Sequence, residues 1–100
     1  MKVVWSPLAL ERAVEQAEHI AQDKPQAARR WLDALFASTD KLADFPQSGR
    51  KTPELEDPSF REIQHGAYRV LYRVEAEQVS ILTVRHARRL LDESELQTET

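Results

Sequence analysis

Near residue 46 the apolar side chains of this chain change period, and that switch restricts the fold more than any other feature. Before it, apolar residues recur every three or four positions, as on one face of a helix. After residue 58 they come as β-branched and aromatic runs, SFREIQH, YRVLYRV and VSILTVRH, parted by short breaks around Gly66 and Ala76. Breaks of that length join antiparallel neighbours, because a parallel crossover takes about a dozen residues or more. Helices followed by a strand meander make an α+β arrangement.

The first strand is expected at Val3-Val4-Trp5, ended by Ser6-Pro7, a helix-start signal in which the serine accepts from an orphan N–H and the proline presets φ. Leu10, Ala13, Val14, Ala17, Ile20 and Ala21 then form a helical stripe that stops near Asp23-Lys24-Pro25. A second stripe, Ala28, Trp31, Leu32, Leu35, Phe36, Thr39 and Leu42, runs to Phe45-Pro46. The segment PQSGRKTPELEDP reads as a loop, with a short edge strand near Arg50–Thr52. In the middle strand of the meander Tyr68, Val70, Tyr72 and Val74 share one face and Arg69, Leu71 and Arg73 the other. Val79, Ile81, Leu82 and Val84 make the last strand apolar on both faces, which suits a central position. The predicted order is β-α-α-β-β-β: a helical hairpin packed on a mainly antiparallel sheet of about four strands. Residues 1–92 read as one domain and 93–100 as a frayed acidic tail.

Charge narrows the function. The chain of 100 residues carries a net charge of −3, a poor match to bulk nucleic acid, whose affinity for proteins comes from phosphate neutralisation. Residues 61–91, however, hold six arginines against three glutamates, while DESELQTET carries four acids. With no cysteine there is no disulfide framework, thiolate metal site or cysteine nucleophile. The opening MKVVWSPLALERA has no secretory pattern and no apolar run is long enough for a membrane span, so the expected setting is the cytoplasm. His19, His65 and His86 have no metal-ligand spacing, and two glycines make no phosphate-cradling loop, so neither a metal nor a cofactor is expected. A nucleophile elbow of the G-x-S-x-G type is absent as well.

What remains is a cationic cluster. Arg69 and Arg73 project from the same strand face about 13 Å apart, and Arg85, His86, Arg88 and Arg89 follow on the last strand and just beyond it. Such a face suits an anionic partner, either phosphate or an acidic protein segment. His86 among arginines has the chemistry of a general acid or base, although a satisfied structural histidine at a strand end is the more common case.

The order of elements, together with LADFPQSGRKTPEL, REIQHGAYRVLYRV and VSILTVRHARRLL, resembles the RelE/ParE superfamily of type II toxin–antitoxin toxins along nearly the whole chain. The resemblance implies a toxin neutralised by a cognate antitoxin, and two targets are open. RelE-like members cleave mRNA on the ribosome; ParE-like members poison DNA gyrase. Arg69 falls on an arginine that RelE-like enzymes use, but the positions of two RelE lysines fall on Phe60 and Glu62, that of a later arginine on Ala87, and that of a C-terminal tyrosine near Glu93. The V-x-H-x-x-R of Val84–Arg89 is closer to ParE-like sequences. The resemblance therefore favours a gyrase-inhibiting binding module without catalytic residues, with ribosome-dependent mRNA cleavage as the alternative. Its expected target surface is Arg69, Arg73, Arg85, His86, Arg88 and Arg89, and its expected antitoxin surface Trp31, Leu35, Arg61 and Arg69. A homodimer or a toxin–antitoxin hetero-oligomer is the assembly implied.

Overall fold

A computed structural model describes residues 1–88 and 93–96. Among these residues, strand β1 (Lys2–Trp5) leads into α1 (Pro7–Ala21) and α2 (Pro25–Asp40), and a 3-10 turn (Lys41–Ala43) extends α2. Strands β2 (Arg50–Lys51), β3 (Phe60–His65), β4 (Tyr68–Val74) and β5 (Gln78–His86) follow, and a second 3-10 turn spans Glu93–Leu96. The sheet order is β1-β5-β4-β3-β2. β1 runs parallel to β5, and the other pairings are antiparallel. The helical hairpin on a mainly antiparallel sheet is as expected. The sheet has five strands, because β1 joins it beside β5 and the two-residue β2 adds the far edge. β5 is flanked on both sides, and β4 occupies the middle position.

Ser6 fixes how α1 meets the sheet. Its extended backbone and Pro7 begin the helix, and its hydroxyl accepts from Ala9 N–H. The same hydroxyl donates to Leu82 C=O at 2.9 Å, and Ser6 N–H donates to Ile81 C=O at 2.9 Å. The start of α1 is thereby held on β5, and Ala9 and Ala13, small enough for close approach, are fully buried there. Leu10 and Val14, expected in the buried stripe, are rotated outward and are 43% and 42% exposed. The stripe of α2 packs as expected. Leu35, Thr39 and Leu42 are fully buried, and Phe36 meets Trp5 edge-to-face at 5.0 Å. These residues close over Val70, Tyr72, Val79, Ile81 and Val84. A bulge lets Leu82 of β5 sit between the partners of Leu71 and Tyr72.

Tyr72 pins the 46–49 loop to the core. Its hydroxyl donates to Pro46 C=O at 2.8 Å and accepts from Gly49 N–H at 2.9 Å. A Cβ at Gly49 would lie 2.5 Å from that hydroxyl oxygen, so only glycine fits.

Candidate functional site

Strand alternation turns the arginines of β4 away from the helices, because Val70 and Tyr72 face the core. Register then sets Arg69 directly opposite Arg85 on β5 and Gln64 on β3. Two guanidinium groups opposite one another repel, so each needs its own compensation. The chain supplies it.

Arg69 is 7% exposed and enclosed by two glutamates. Its Nη1 and Nη2 donate to the two carboxylate oxygens of Glu54 at 2.8 and 2.7 Å, a fork-to-fork pair. Its Nη2 also reaches Glu62 Oε1 at 2.6 Å, with Nε at 3.2 Å from both Glu62 oxygens. Glu62, 3% exposed, accepts in addition from Arg50 Nε and Nη2 at 3.0 and 2.8 Å. The result is a chain Arg50–Glu62–Arg69–Glu54 of two cations and two anions. The hydrogen bonds that Arg69 donates to Glu54 and then to Glu62 raise its pKa further above its already high value.

The other expected contact residues are placed differently. Arg85 Nη1 pairs with Glu95 of the second 3-10 turn, and the same carboxylate pairs with Arg12 of α1. Within the segment read as a frayed tail, Glu93–Leu96 therefore packs on the body, with Glu95 buried. Arg73 is half-buried with its guanidinium 5.3 Å over the Phe60 ring. His86 meets Tyr68 edge-on at 5.5 Å, and its Nδ1 accepts from Arg88 N–H at 3.2 Å. Arg88 is exposed in the turn after β5, and Arg89 lies outside the described residues.

Of the expected antitoxin surface, Trp31 is half-buried between His65 and Tyr68, at 5.4 and 5.8 Å. Arg61 donates to Gly49 C=O at 2.8 Å. Leu35 has no exposed area, because it sits at the centre of the interface between helix and sheet. The uniform cationic pad therefore divides. Arg69 and Arg85 are bound to carboxylates of the chain itself, since a largely buried guanidinium needs a paired anion. Arg73 stays on the same face as Arg69, whereas His86 opposes Tyr68 on the helix side of the sheet, against the expectation of one shared surface, and Arg88 is exposed in the turn after β5. The reading from residue types missed Arg12, Arg50, Glu54 and Glu95; Glu62 stood out only as an acid at a RelE lysine position.

Chemically, the face can dock a partner through a few cations and aromatic edges. On that face the two carboxylates beside Arg69, Glu62 and Glu54, are both held by arginine. Among the described residues no three His, Cys, Asp or Glu side chains are grouped as metal ligands. No described helix is long and apolar enough to cross a membrane.

The sequence profile described as "ParE toxin of type II toxin-antitoxin system, parDE" matches residues 3–91. The chain belongs to the ParE toxin family. It is accordingly the toxin of a type II toxin–antitoxin system, and such a toxin has a cognate antitoxin as partner. The toxin is 34% identical over 90 residues to Toxin RelE2 of Caulobacter vibrioides, covering 89% of this chain and 98% of that one. It is 35% identical over 88 residues to Y4kP of Sinorhizobium fredii, covering 86% and 88%. Its fold matches a solved chain of the "Chromosomal ParDE TA system from P. aeruginosa" with a TM-score of 0.74 at 18% identity, over 88% of this toxin and 97% of that chain.

Proposed function

We propose that this toxin inhibits DNA gyrase as a binding module and is not a ribonuclease. One observation carries the reading: Arg69, the residue that corresponds to an RNA-cleaving arginine, is enclosed between Glu54 and Glu62. A phosphodiester brought to that guanidinium would meet two carboxylates first, and 2′-OH attack needs a free base, a free acid and cationic stabilisation of the phosphorane. His86 offers a ring whose Nδ1 is engaged by Arg88 N–H and whose edge lies on Tyr68, an arrangement that holds the ring in place.

The target surface takes in Arg73, His86 and Arg88, and Arg69 and Arg85 support it through their buried carboxylate pairs. The antitoxin engages the half-buried Trp31 and Arg61, over the core that Leu35 fills. Purified toxin should block gyrase supercoiling and trap cleaved DNA at stoichiometric amounts, and added antitoxin should reverse both effects. Absence of gyrase inhibition at molar excess, with cleavage of mRNA on programmed ribosomes, would establish the ribonuclease reading instead.

A further inference from the structure

The two edges of the sheet are not alike. At one, β2 is only Arg50-Lys51, both charged and exposed, and Pro53 lies just beyond, features that keep a further strand off. At the other, β1 has β5 on one side and no neighbouring strand on its far side among the described residues. Its backbone phase is fixed. Ser6 N–H donates to Ile81 C=O and Trp5 is paired with Ile81, so in this parallel ladder the N–H and C=O groups of Lys2 and Val4 face β5. Those of Val3 and Trp5 point outward, donors and acceptors with no strand to meet.

Side chains restrict what can pair there. Val3 and Trp5 pack against the core on the helix side, and Val4 lies on the other face, 36% exposed. An added antiparallel strand must match this alternation, since opposite residues share a face. A second copy of β1 does so about a two-fold axis, and the chain selects where the axis falls. Centring it on Trp5 would set Val3 against Pro7, which has no N–H. Centring it on Val3 would set Trp5 against Met1, whose amine is held by Ala43 C=O at 3.3 Å. Centring it on Val4 sets Val3 against Trp5 of the second copy and pairs the outward groups of both strands. Lys2 then stands opposite Ser6 of the second copy, so no like charges meet. Apolar surface lies where this pairing would cover it. Val4 is on the axis, and Met1 and Phe45, 49% and 65% exposed, sit by the start of β1, tied there by the Met1–Ala43 bond.

We propose that the free edge of β1 is a dimerisation edge for a second copy of this chain, paired antiparallel about Val4 so that the two five-stranded sheets run on as one. The proposal holds whichever target the toxin has. An edge of four residues makes a small interface, below about 1,200 Å² in total, so the dissociation constant should be about 1–100 μM. Sedimentation equilibrium of the full-length toxin between about 1 and 500 μM should show monomer and dimer in exchange. Val4→Lys, which puts two ammonium groups on the axis, should leave only monomer. The chain has no cysteine, so an introduced one reports the register. Val4 falls in a non-hydrogen-bonded pair, with about 4.5 Å between Cα atoms, within reach of a disulfide. Val4→Cys should therefore become a disulfide-linked dimer when oxidised with glutathione disulfide at the same protein concentrations. Lys2→Cys, on the same face but about 13 Å along the strand from its copy, should not. Circular dichroism checks the fold of Val4→Lys; should it not fold, the cysteine variants decide. A toxin that is monomeric at the top of the concentration range, a Val4→Lys variant that still dimerises, or cross-linking of Val4→Cys no faster than that of Lys2→Cys would overturn the proposal.

Discussion

Removing the carboxylate of Glu62 separates the structural from the superficial half of the charge chain. Glu62 is 3% exposed and lies between Arg50 and Arg69, so Glu62→Ala leaves Arg69 buried with Glu54 as its remaining partner. Breaking a buried pair by removing one member costs about 3–5 kcal/mol. Because Glu54 stays in place, the lower end applies, about 3 kcal/mol. In a domain of this size that is a fall in Tm of roughly 12–24 °C. Glu54 has a side chain 27% exposed on a loop, and water can replace much of its interaction, so Glu54→Ala should cost about 1 kcal/mol. Arg69→Met leaves Glu62 with Arg50 alone, whose side chain is 69% exposed, and should cost about 3 kcal/mol. The double variant Glu62→Leu/Arg69→Met removes both buried charges and should be more stable than either single variant. Urea unfolding followed by tryptophan fluorescence reads all four, with unchanged m-values as the condition for comparison. Equal costs for Glu54→Ala and Glu62→Ala, or a double variant that simply sums the two singles, would refute the reasoning.

Tyr72 gives the toxin an alkaline limit. Burial raises its pKa above the usual value, so below about pH 10 both states stay protonated and stability does not depend on this group. Above that pH the unfolded chain ionises first and stability falls as pH rises. Tyr72→Phe should remove that part of the alkaline slope while costing about 1–3 kcal/mol at pH 7, because Gly49 N–H loses its acceptor; denaturant melts at pH 7 and 11 check both effects. Gly49→Ala should cost about 1–3 kcal/mol by thermal unfolding, since its Cβ meets Glu62 C=O at 2.6 Å as well as the tyrosine. Gly66→Ala should cost about 1–2 kcal/mol for a different reason: φ is +58° but nothing lies within 4 Å.

The parts of the fold set by local rules were legible in the sequence. Ser6-Pro7, Pro25 and the change of period placed both helices and the meander to within a few residues, and alternation placed the arginines of β4 away from the core. Parallel pairing of β1 with β5 was not, because Lys2 meets Gln78 across most of the chain and no local signal specifies that partner. The buried face of α1 was misplaced for a related reason. Hydrophobicity favoured Leu10 and Val14, whereas the Ser6–Leu82 hydrogen bond orients the helix with its alanines on the sheet. The charge compensation was the least legible feature. Arg69 finds Glu54 on an irregular loop 15 residues back, and Arg85 finds Glu95 past the last strand, pairings that only the folded chain creates.

Compensation of this kind gives the arginines different jobs, and mutation can tell those jobs apart. Arg69 and Arg85 hold buried carboxylates, so truncating either should lower toxicity in step with the amount of folded protein. Arg73 and Arg88 are tied more lightly: one stacks on Phe60, an interaction of about 0.5–1 kcal/mol at an accessible site, and the other is exposed. If Arg73 and Arg88 meet the target, Arg73→Ala/Arg88→Ala should stay folded, with a Tm within a few degrees of the unaltered toxin, yet need about tenfold or more protein to inhibit supercoiling. Measuring Tm and inhibition on the same samples separates the two effects. A double variant as potent as the parent would take both residues out of the target surface. An Arg69→Ala toxin that folds normally but has lost activity would return Arg69 from support to direct contact, and with it the case for phosphate chemistry at that position.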